Sequence, residues 1–155
     1  ERPVSLVFDM YQNITYTGKR SPGFVTCKLA ADNEGKLLAM ETDWTIDHGP
    51  YSEFGDLLTL RQAQFTGAGY DIPNIRGKGR TVCTNHAWGS AFRAYGSPQA
   101  FLASEIAMDE LAEKLGMDPL ELRFKNIYGV TRPQINCDLY SCGECGFLSL
   151  DTRSA

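Results

Sequence analysis

The chain has 155 residues, 43% of them apolar, and a formal net charge of −4, so it is long enough for one domain with a buried core. The acidic balance and the lack of a basic stripe exclude nucleic acid as the main partner, and no run of about 18 apolar residues predicts a membrane span. Its five cysteines do not form a disulfide scaffold at this length and composition, which favours a reducing, cytoplasmic compartment.

Hydrophobic periodicity predicts an α+β fold, in which a β-hairpin and further strands pack with two or three helices. Strands are expected over residues 4–10, 24–31, 36–47 and 75–84. The turn residues at 32–35 join the middle two strands as a hairpin.

Helices are expected over residues 54–65 and 97–115, and from Asp118 onward. In the long helix we expect Ser97 as the N-cap, Pro98 in the first helical position and Gly116 as the C-terminal stop. Asp118 is placed to cap the last helix.

Residues 85–99 are the most informative stretch of the chain. They hold two glycines, one arginine and four aromatic or imidazole rings without a helical or strand period, and they lead directly into the long helix. Irregular backbone of this kind at a helix N-terminus suits an anionic cofactor or a planar substrate.

Six separated segments, in this order, resemble the molybdenum hydroxylases, the family of xanthine dehydrogenase and aldehyde oxidase. They are Tyr-Thr-Gly-Lys-Arg at 16–20, Asp-His-Gly-Pro-Tyr-Ser at 47–52, Ile-Pro-Asn-Ile-Arg-Gly at 72–77, Thr-Asn at 84–85, Ala-Phe-Arg-Ala-Tyr-Gly-Ser-Pro-Gln at 91–99 and Gly-Met-Asp-Pro at 116–119. Within the family the likeness is greatest to the aldehyde oxidoreductases of sulfate-reducing bacteria, over roughly residues 1–130.

The resemblance implies a piece of a larger molybdopterin-binding domain over residues 1–132. It implies a molybdopterin cofactor in the cytosine dinucleotide form, held by Phe92 and Arg93. The side chains implied on the substrate side are Arg61, Tyr95, Phe54, Leu57 and Leu58. Without the resemblance, the last three would be ordinary helix core. The family usually has Gly where this chain has Ala94, a departure that matters if the backbone there has a positive φ.

The implied activity is the hydroxylation of aldehydes to carboxylic acids, or of N-heterocycles, with oxygen derived from water. No segment matches the glutamate-bearing motif of the family, so no catalytic residue is assigned in this chain. The implied iron–sulfur clusters belong to other parts of the enzyme. The partners are therefore a small substrate and the remaining domains or subunits. Residues 1–4 have neither an initiating Met nor a signal-peptide core, so we expect an interior piece or a processed product, inactive alone.

Residues 133–155 differ from the preceding domain, and we expect a divergent, poorly ordered tail. Cys137, Cys142 and Cys145 have the first three spacings of a two-iron cluster loop, but no fourth Cys follows. Two other interpretations therefore stay open. One is a non-catalytic module that binds metal through these cysteines, and the other is a truncated product without independent activity.

Overall fold

A computed structural model of the chain describes residues 2–51, 53–129, 138–141 and 148–151. The elements in chain order are α1 (Met10–Tyr16), β1 (Gly23–Ala31), β2 (Leu37–Asp47), α2 (Gly55–Phe65), β3 (Ile75–Val82), α3 (Ser97–Leu115), α4 (Pro119–Asn126), β4 (Asp138–Ser141) and β5 (Leu148–Asp151). The predicted α+β class is confirmed.

β1 and β2 form the predicted antiparallel hairpin. Its turn is held by the Asp32 carboxylate, which accepts the backbone N–H groups of Glu34 at 3.0 Å and Lys36 at 2.8 Å. Gly35 has φ of 84°, a left-handed conformation that costs glycine little.

β3 pairs with β2 in parallel, giving the strand order β1-β2-β3. Two parallel strands need a crossover connection between them, and α2 lies within the connection from β2 to β3. This crossover brings α2 back across the sheet, where α3 also packs on β1 and α2.

Two apolar clusters hold the helices on the sheet. The first cluster joins β2 to α2 and α3 and consists of Trp44, Ile46, Leu58, Ala100 and Ala103. The second cluster lies at the other end of α3 and consists of Leu37, Met108, Ala112 and Leu122. The first cluster fixes the N-terminal halves of α2 and α3 against each other, which matters for the site below.

The predicted strand over residues 4–10 is wrong. Residues 2–9 have no regular structure, and α1 begins at Met10 with a capping box in which Asp9 accepts the Gln12 N–H at 2.8 Å and its own N–H donates to the Gln12 side chain. No strand pairs with this segment among the described residues, and Val4 and Val7 are exposed. Alternating apolar residues alone therefore did not make a strand, because a strand needs a partner for its backbone groups.

The ends of α3 and α4 refine the predicted caps. Gly96, with φ of 89°, is the N-cap of α3, and Ser97 is its first helical residue rather than the cap. Gly116 ends α3 in a left-handed conformation, as predicted. Asp118 caps α4 by accepting the N–H groups of Leu120 and Glu121, which is also as predicted.

Candidate functional site

The segment before α3 folds into a compact turn. The Tyr95 N–H donates to the Phe92 carbonyl at 2.8 Å, and the Ser97 N–H donates to the Ala94 carbonyl at 3.0 Å. Two left-handed residues make this possible, since Ala94 has φ of 63° and Gly96 has φ of 89°. The Gly-to-Ala departure noted in the sequence thus falls on a position with a positive φ, where an L side chain is strained.

Gly96 brings this turn against α2. A Cβ at Gly96 would lie 3.2 Å from the Leu58 carbonyl oxygen and 3.3 Å from the Arg61 Cβ, so any side chain there would push the two elements apart. The Tyr95 hydroxyl also donates to the Phe54 carbonyl at the N-terminus of α2. The structure therefore brings together the turn and the start of α2, two regions that are far apart in the sequence.

The predicted site side chains differ in their surroundings. Phe92 is 48% exposed, Arg93, Phe54 and Leu57 are also exposed, and Arg61 and Tyr95 are half-buried. Leu58 is 2% exposed and packs in the first core cluster. Its burial supports the core interpretation, so its place on the substrate side stays a prediction.

Arg93 carries a charge that no other described group neutralises. Among the residues that the structure describes, its guanidinium has no hydrogen-bond or ion-pair partner, and only its carbonyl is engaged. It lies close before the N-terminus of the 19-residue helix α3, which has no side-chain cap. A free guanidinium and an uncapped helix N-terminus are both suited to an anionic group.

Arg20 contacts this turn through its guanidinium. The sequence analysis assigned no role to this residue. Its guanidinium carbon lies 4.9 Å from the centroid of the Phe92 ring, and its Nη2 donates to the Arg93 carbonyl at 2.5 Å. The Tyr-Thr-Gly-Lys-Arg motif contains this arginine, but a contact across 73 residues leaves no local signal in the sequence.

A polar network surrounds Asp47, which is 8% exposed, at the end of β2. Asp47 accepts the Thr84 hydroxyl and the Gly49 N–H, and it also contacts the His86 ring. The Thr84 hydrogen bond, above all, holds the pKa of the Asp47 carboxyl below its usual value, with smaller contributions from Gly49 and His86 against the opposing effect of burial. The network joins the end of β2 to the segment that leads into the turn.

Both histidines make contacts within the chain, since His86 contacts Asp47 and His48 Nδ1 is hydrogen-bonded to Ser21 Oγ at 2.8 Å. In the described part of the chain, no group of three or more His, Cys, Asp or Glu side chains could hold a metal ion. Cys137, Cys142 and Cys145 lie outside the described residues, so the proposed cluster loop and the expected disorder of the tail stay predictions. The boundary at residue 132 also stays a prediction. No helix among the described residues is both long and apolar enough to cross a membrane.

Comparisons with known proteins identify the family of this chain. Residues 1–127 match the molybdopterin cofactor-binding domain family. The aldehyde oxidoreductase of Megalodesulfovibrio gigas is 69% identical over 85% of this chain. The large molybdopterin subunit of nicotinate dehydrogenase from Eubacterium barkeri is 34% identical over 84% of this chain. A solved structure of the aldehyde oxidoreductase from Desulfovibrio gigas covers 81% of this chain and 14% of that one, at 69% identity and a TM-score of 0.74.

The family match over residues 1–127 defines this chain as a cofactor-binding domain. The chain belongs to the molybdopterin cofactor-binding domain family, among relatives that include aldehyde oxidoreductase and xanthine dehydrogenase, which confirms the resemblance seen in the sequence. The chain spans 15% of the Megalodesulfovibrio gigas protein and 31% of the Eubacterium barkeri subunit.

Proposed function

We propose that this chain is part of a molybdenum-dependent oxidoreductase that hydroxylates aldehydes to carboxylic acids, or N-heterocycles, with oxygen derived from water. The turn over residues 91–96 and the N-terminus of α3 hold molybdopterin in its cytosine dinucleotide form. The observation that carries this proposal is the exposed and unpaired Arg93 guanidinium beside the exposed Phe92 ring.

The residues fit the cofactor by charge and shape. Molybdopterin is anionic, and the Arg93 guanidinium offers a planar fork of donors without a competing partner in the described part of the chain. The neighbouring Phe92 ring is half-exposed although Arg20 lies over it, so it offers further apolar surface to the cofactor. When bound, the molybdenum centre supplies the oxygen transfer and accepts two electrons.

The residues of this chain on the substrate side bind and orient the substrate. Phe54 and Leu57 are exposed apolar side chains at the start of α2, and an apolar approach that ends in a few polar groups suits a small aldehyde or heterocycle. Arg61, half-buried and bonded to the Gln64 side chain at 3.2 Å, supplies a cation one turn further along the helix. The Tyr95 hydroxyl is held at the start of this helix by its hydrogen bond to the Phe54 carbonyl.

The remaining parts of the reaction come from elsewhere in the proposed enzyme. This chain has no segment matching the family's glutamate-bearing motif, so further domains or subunits supply the general base and the iron–sulfur clusters. Its relatives are longer proteins of which it spans a minor share. We therefore expect the isolated chain to be inactive, and we expect the complete enzyme in the cytoplasm.

The test is a metal and pterin analysis of the complete enzyme, produced in a host that makes molybdopterin. Stoichiometric molybdenum and pterin are expected in the wild type. Arg93→Met should weaken cofactor retention about tenfold or more, because it removes charge-assisted hydrogen bonds. Arg80→Met is the matched control, since Arg80 pairs with Asp43 on the sheet. Wild-type enzyme without molybdenum or pterin would refute the proposal.

A further inference from the structure

We infer that Arg20 is a positioning residue, which sets the turn at Phe92–Gly96 in the shape that presents Arg93 to the cofactor. The inference rests on the proposed function, because it assigns the reason for the position of Arg93. Three observations support it. The backbone on both sides of Arg20 is held by hydrogen bonds, the Arg20 guanidinium contacts three groups around the turn, and the turn itself contains a strained residue.

The base of Arg20, the backbone on both sides of it, is formed by two segments that lie side by side. The Lys19 N–H donates to the Trp88 carbonyl at 3.1 Å, and the Ser90 N–H donates to the Lys19 carbonyl at 3.0 Å. The approach is close, since a Cβ at Gly18 would lie 2.1 Å from the Ser90 Cβ. The residue before Arg20 is therefore fixed by backbone hydrogen bonds on both of its polar groups.

The residue after Arg20 is fixed by a buried side chain. Ser21 Oγ is hydrogen-bonded to His48 Nδ1 at 2.8 Å, and His48 is 0% exposed. A Cβ at Gly89 would lie 2.1 Å from Ser21 Oγ, so the facing segment approaches Ser21 closely. Arg20 thus extends from backbone that is held on both sides.

From this base the guanidinium reaches three groups around the turn. It lies 4.9 Å from the centroid of the Phe92 ring, it donates to the Arg93 carbonyl at 2.5 Å, and its Nη1 donates to Gln99 Oε1 at 3.4 Å. Gln99 Nε2 in turn donates to the Ser21 carbonyl at 3.2 Å. The planar fork of arginine allows these contacts to be made together, which a lysine ammonium would not reproduce.

The turn needs such a contact because its backbone is strained. Ala94 has φ of 63°, which costs an L-amino acid free energy relative to a right-handed conformation. Arg20 bonds the carbonyl immediately before Ala94 and so opposes relaxation of the turn at that point. Arg20 is engaged by a ring, a carbonyl and an amide, whereas the Arg93 guanidinium has no partner in the described part of the chain.

The contacts also indicate different roles for Arg20 and Arg93. Arg20 and Arg93 both carry a positive charge at one turn, and like charges at close range favour the binding of an anion between or beside them. Arg93 is exposed and unpaired within the described residues, whereas Arg20 is half-buried and makes two hydrogen bonds and a ring contact. The structure therefore gives Arg20 the positioning role and Arg93 the binding role.

The test uses the complete enzyme with three substitutions: Arg20→Met, Arg20→Lys and, as the matched control, Arg76→Met. Arg76 is exposed on β3 and pairs with Glu41 at 2.8 Å, remote from the turn. Hydrogen exchange of the Tyr95 and Ser97 amides reports the turn itself in the cofactor-free enzyme. Molybdenum and pterin per chain report the binding of the cofactor.

In Arg20→Met, exchange at Tyr95 and Ser97 should accelerate about tenfold and cofactor retention should fall about tenfold, since charged hydrogen bonds to the turn are lost. Exchange in β2 should not change. Arg20→Lys keeps the positive charge and should show the same faster exchange at Tyr95 and Ser97. It also provides a folded variant for this measurement if Arg20→Met does not fold. Added guanidinium should restore part of the molybdenum in Arg20→Met, and Arg76→Met should match the wild type.

Each departure from this pattern has a defined meaning. Unchanged exchange at Tyr95 and Ser97 in either Arg20 variant would overturn the positioning role. Faster exchange with unchanged cofactor retention would overturn its link to the cofactor. Wild-type enzyme without molybdenum or pterin would instead refute the proposed function, whatever Arg20 does to the turn.

Discussion

The side-chain Oδ1 of Asn126, at the end of α4, accepts the backbone N–H of Leu37, at the start of β2, at 2.9 Å, although 89 residues separate them. The Nδ2 of the same amide donates to the Gly35 carbonyl and the Leu122 carbonyl, each at 2.8 Å. Asn126 is buried. One side chain therefore ties the β-hairpin to the last helix of the described domain and satisfies three backbone groups.

Asn126→Ala is expected to lower the free energy of unfolding by about 3 kcal/mol, because it leaves buried backbone groups without partners. Urea denaturation of the full chain measures this loss. Asn33→Ala, in the exposed hairpin turn, is the matched control and should stay within about 0.5 kcal/mol of the wild type. Equal effects of the two substitutions would show that the buried amide does not tie the elements together.

Local signals account for much of the fold that the sequence predicted. The hairpin follows from the turn at Asp32–Gly35, and the stop of α3 follows from Gly116, because each depends on neighbouring residues. The error at residues 4–10 has the opposite cause. That segment has an apolar pattern, but whether it becomes a strand depends on a distant partner, and none pairs with it among the described residues.

The candidate site also combines features with local sequence signals and features that depend on distant contacts. The prediction of Phe92, Arg93 and Tyr95 as site residues rests on one local motif and on the resemblance, and it stays a prediction. Arg20 and the buried Asn126 make contacts across 73 and 89 residues, and such contacts have no period, spacing or turn chemistry that marks them in one sequence. The parallel pairing of β2 with β3 likewise depends on tertiary contacts, which one sequence does not mark.

Ala94→Gly is expected to raise the free energy of unfolding by about 1 kcal/mol. Its φ of 63° strains an alanine, and removing the Cβ relieves that strain. Ala107→Gly, in the middle of α3, should instead lower it by about 1 kcal/mol, since glycine disfavours the helical backbone there. Thermal or urea unfolding of both variants checks the opposite signs. A loss of stability in both would mean that the turn at Ala94 is not under strain.

The stability of the chain should fall as the pH drops through the acidic range, in part because of Asp47. Hydrogen bonds from Thr84 above all, and from Gly49 and His86, lower the pKa of this carboxyl in the folded state. A group with a lowered folded pKa contributes stability above its ordinary value of about 4, and that contribution is lost as the pH falls through the folded pKa. Asp47→Asn should therefore be less stable than the wild type near neutral pH and show a shallower loss below about pH 4.

Thr84→Val provides the internal check on that explanation. It removes the hydroxyl that Asp47 accepts at 2.5 Å while keeping the shape of the side chain, so it should move the pKa of Asp47 upward. The acid loss of stability should then begin at a higher pH than in the wild type, as followed by urea unfolding at a series of pH values. The same onset in both proteins would rule out Thr84 as the main cause.

Tyr70 should titrate at unusually high pH. Its hydroxyl donates to Glu105 Oε1 at 2.7 Å, and Arg123 bonds the other carboxylate oxygen at 2.8 Å. Burial and then the Glu105 carboxylate raise the pKa of Tyr70 to about 12. Since the phenol loses its proton more easily in the unfolded chain, its contribution to stability is present below about pH 10 and is lost as the pH rises toward 12.

Glu105→Gln should lower the pKa of Tyr70, because it removes the negative charge that opposes the phenolate, although burial continues to raise it. The ultraviolet absorbance of tyrosinate, compared between this variant and the same variant with Tyr70→Phe, isolates the single group. Glu113→Gln, a change of the same kind on an exposed part of α3, should leave the titration of Tyr70 unaltered. If Glu105→Gln also leaves it unaltered, the raised pKa comes from burial alone, and the carboxylate serves only to hold Arg123 against α3.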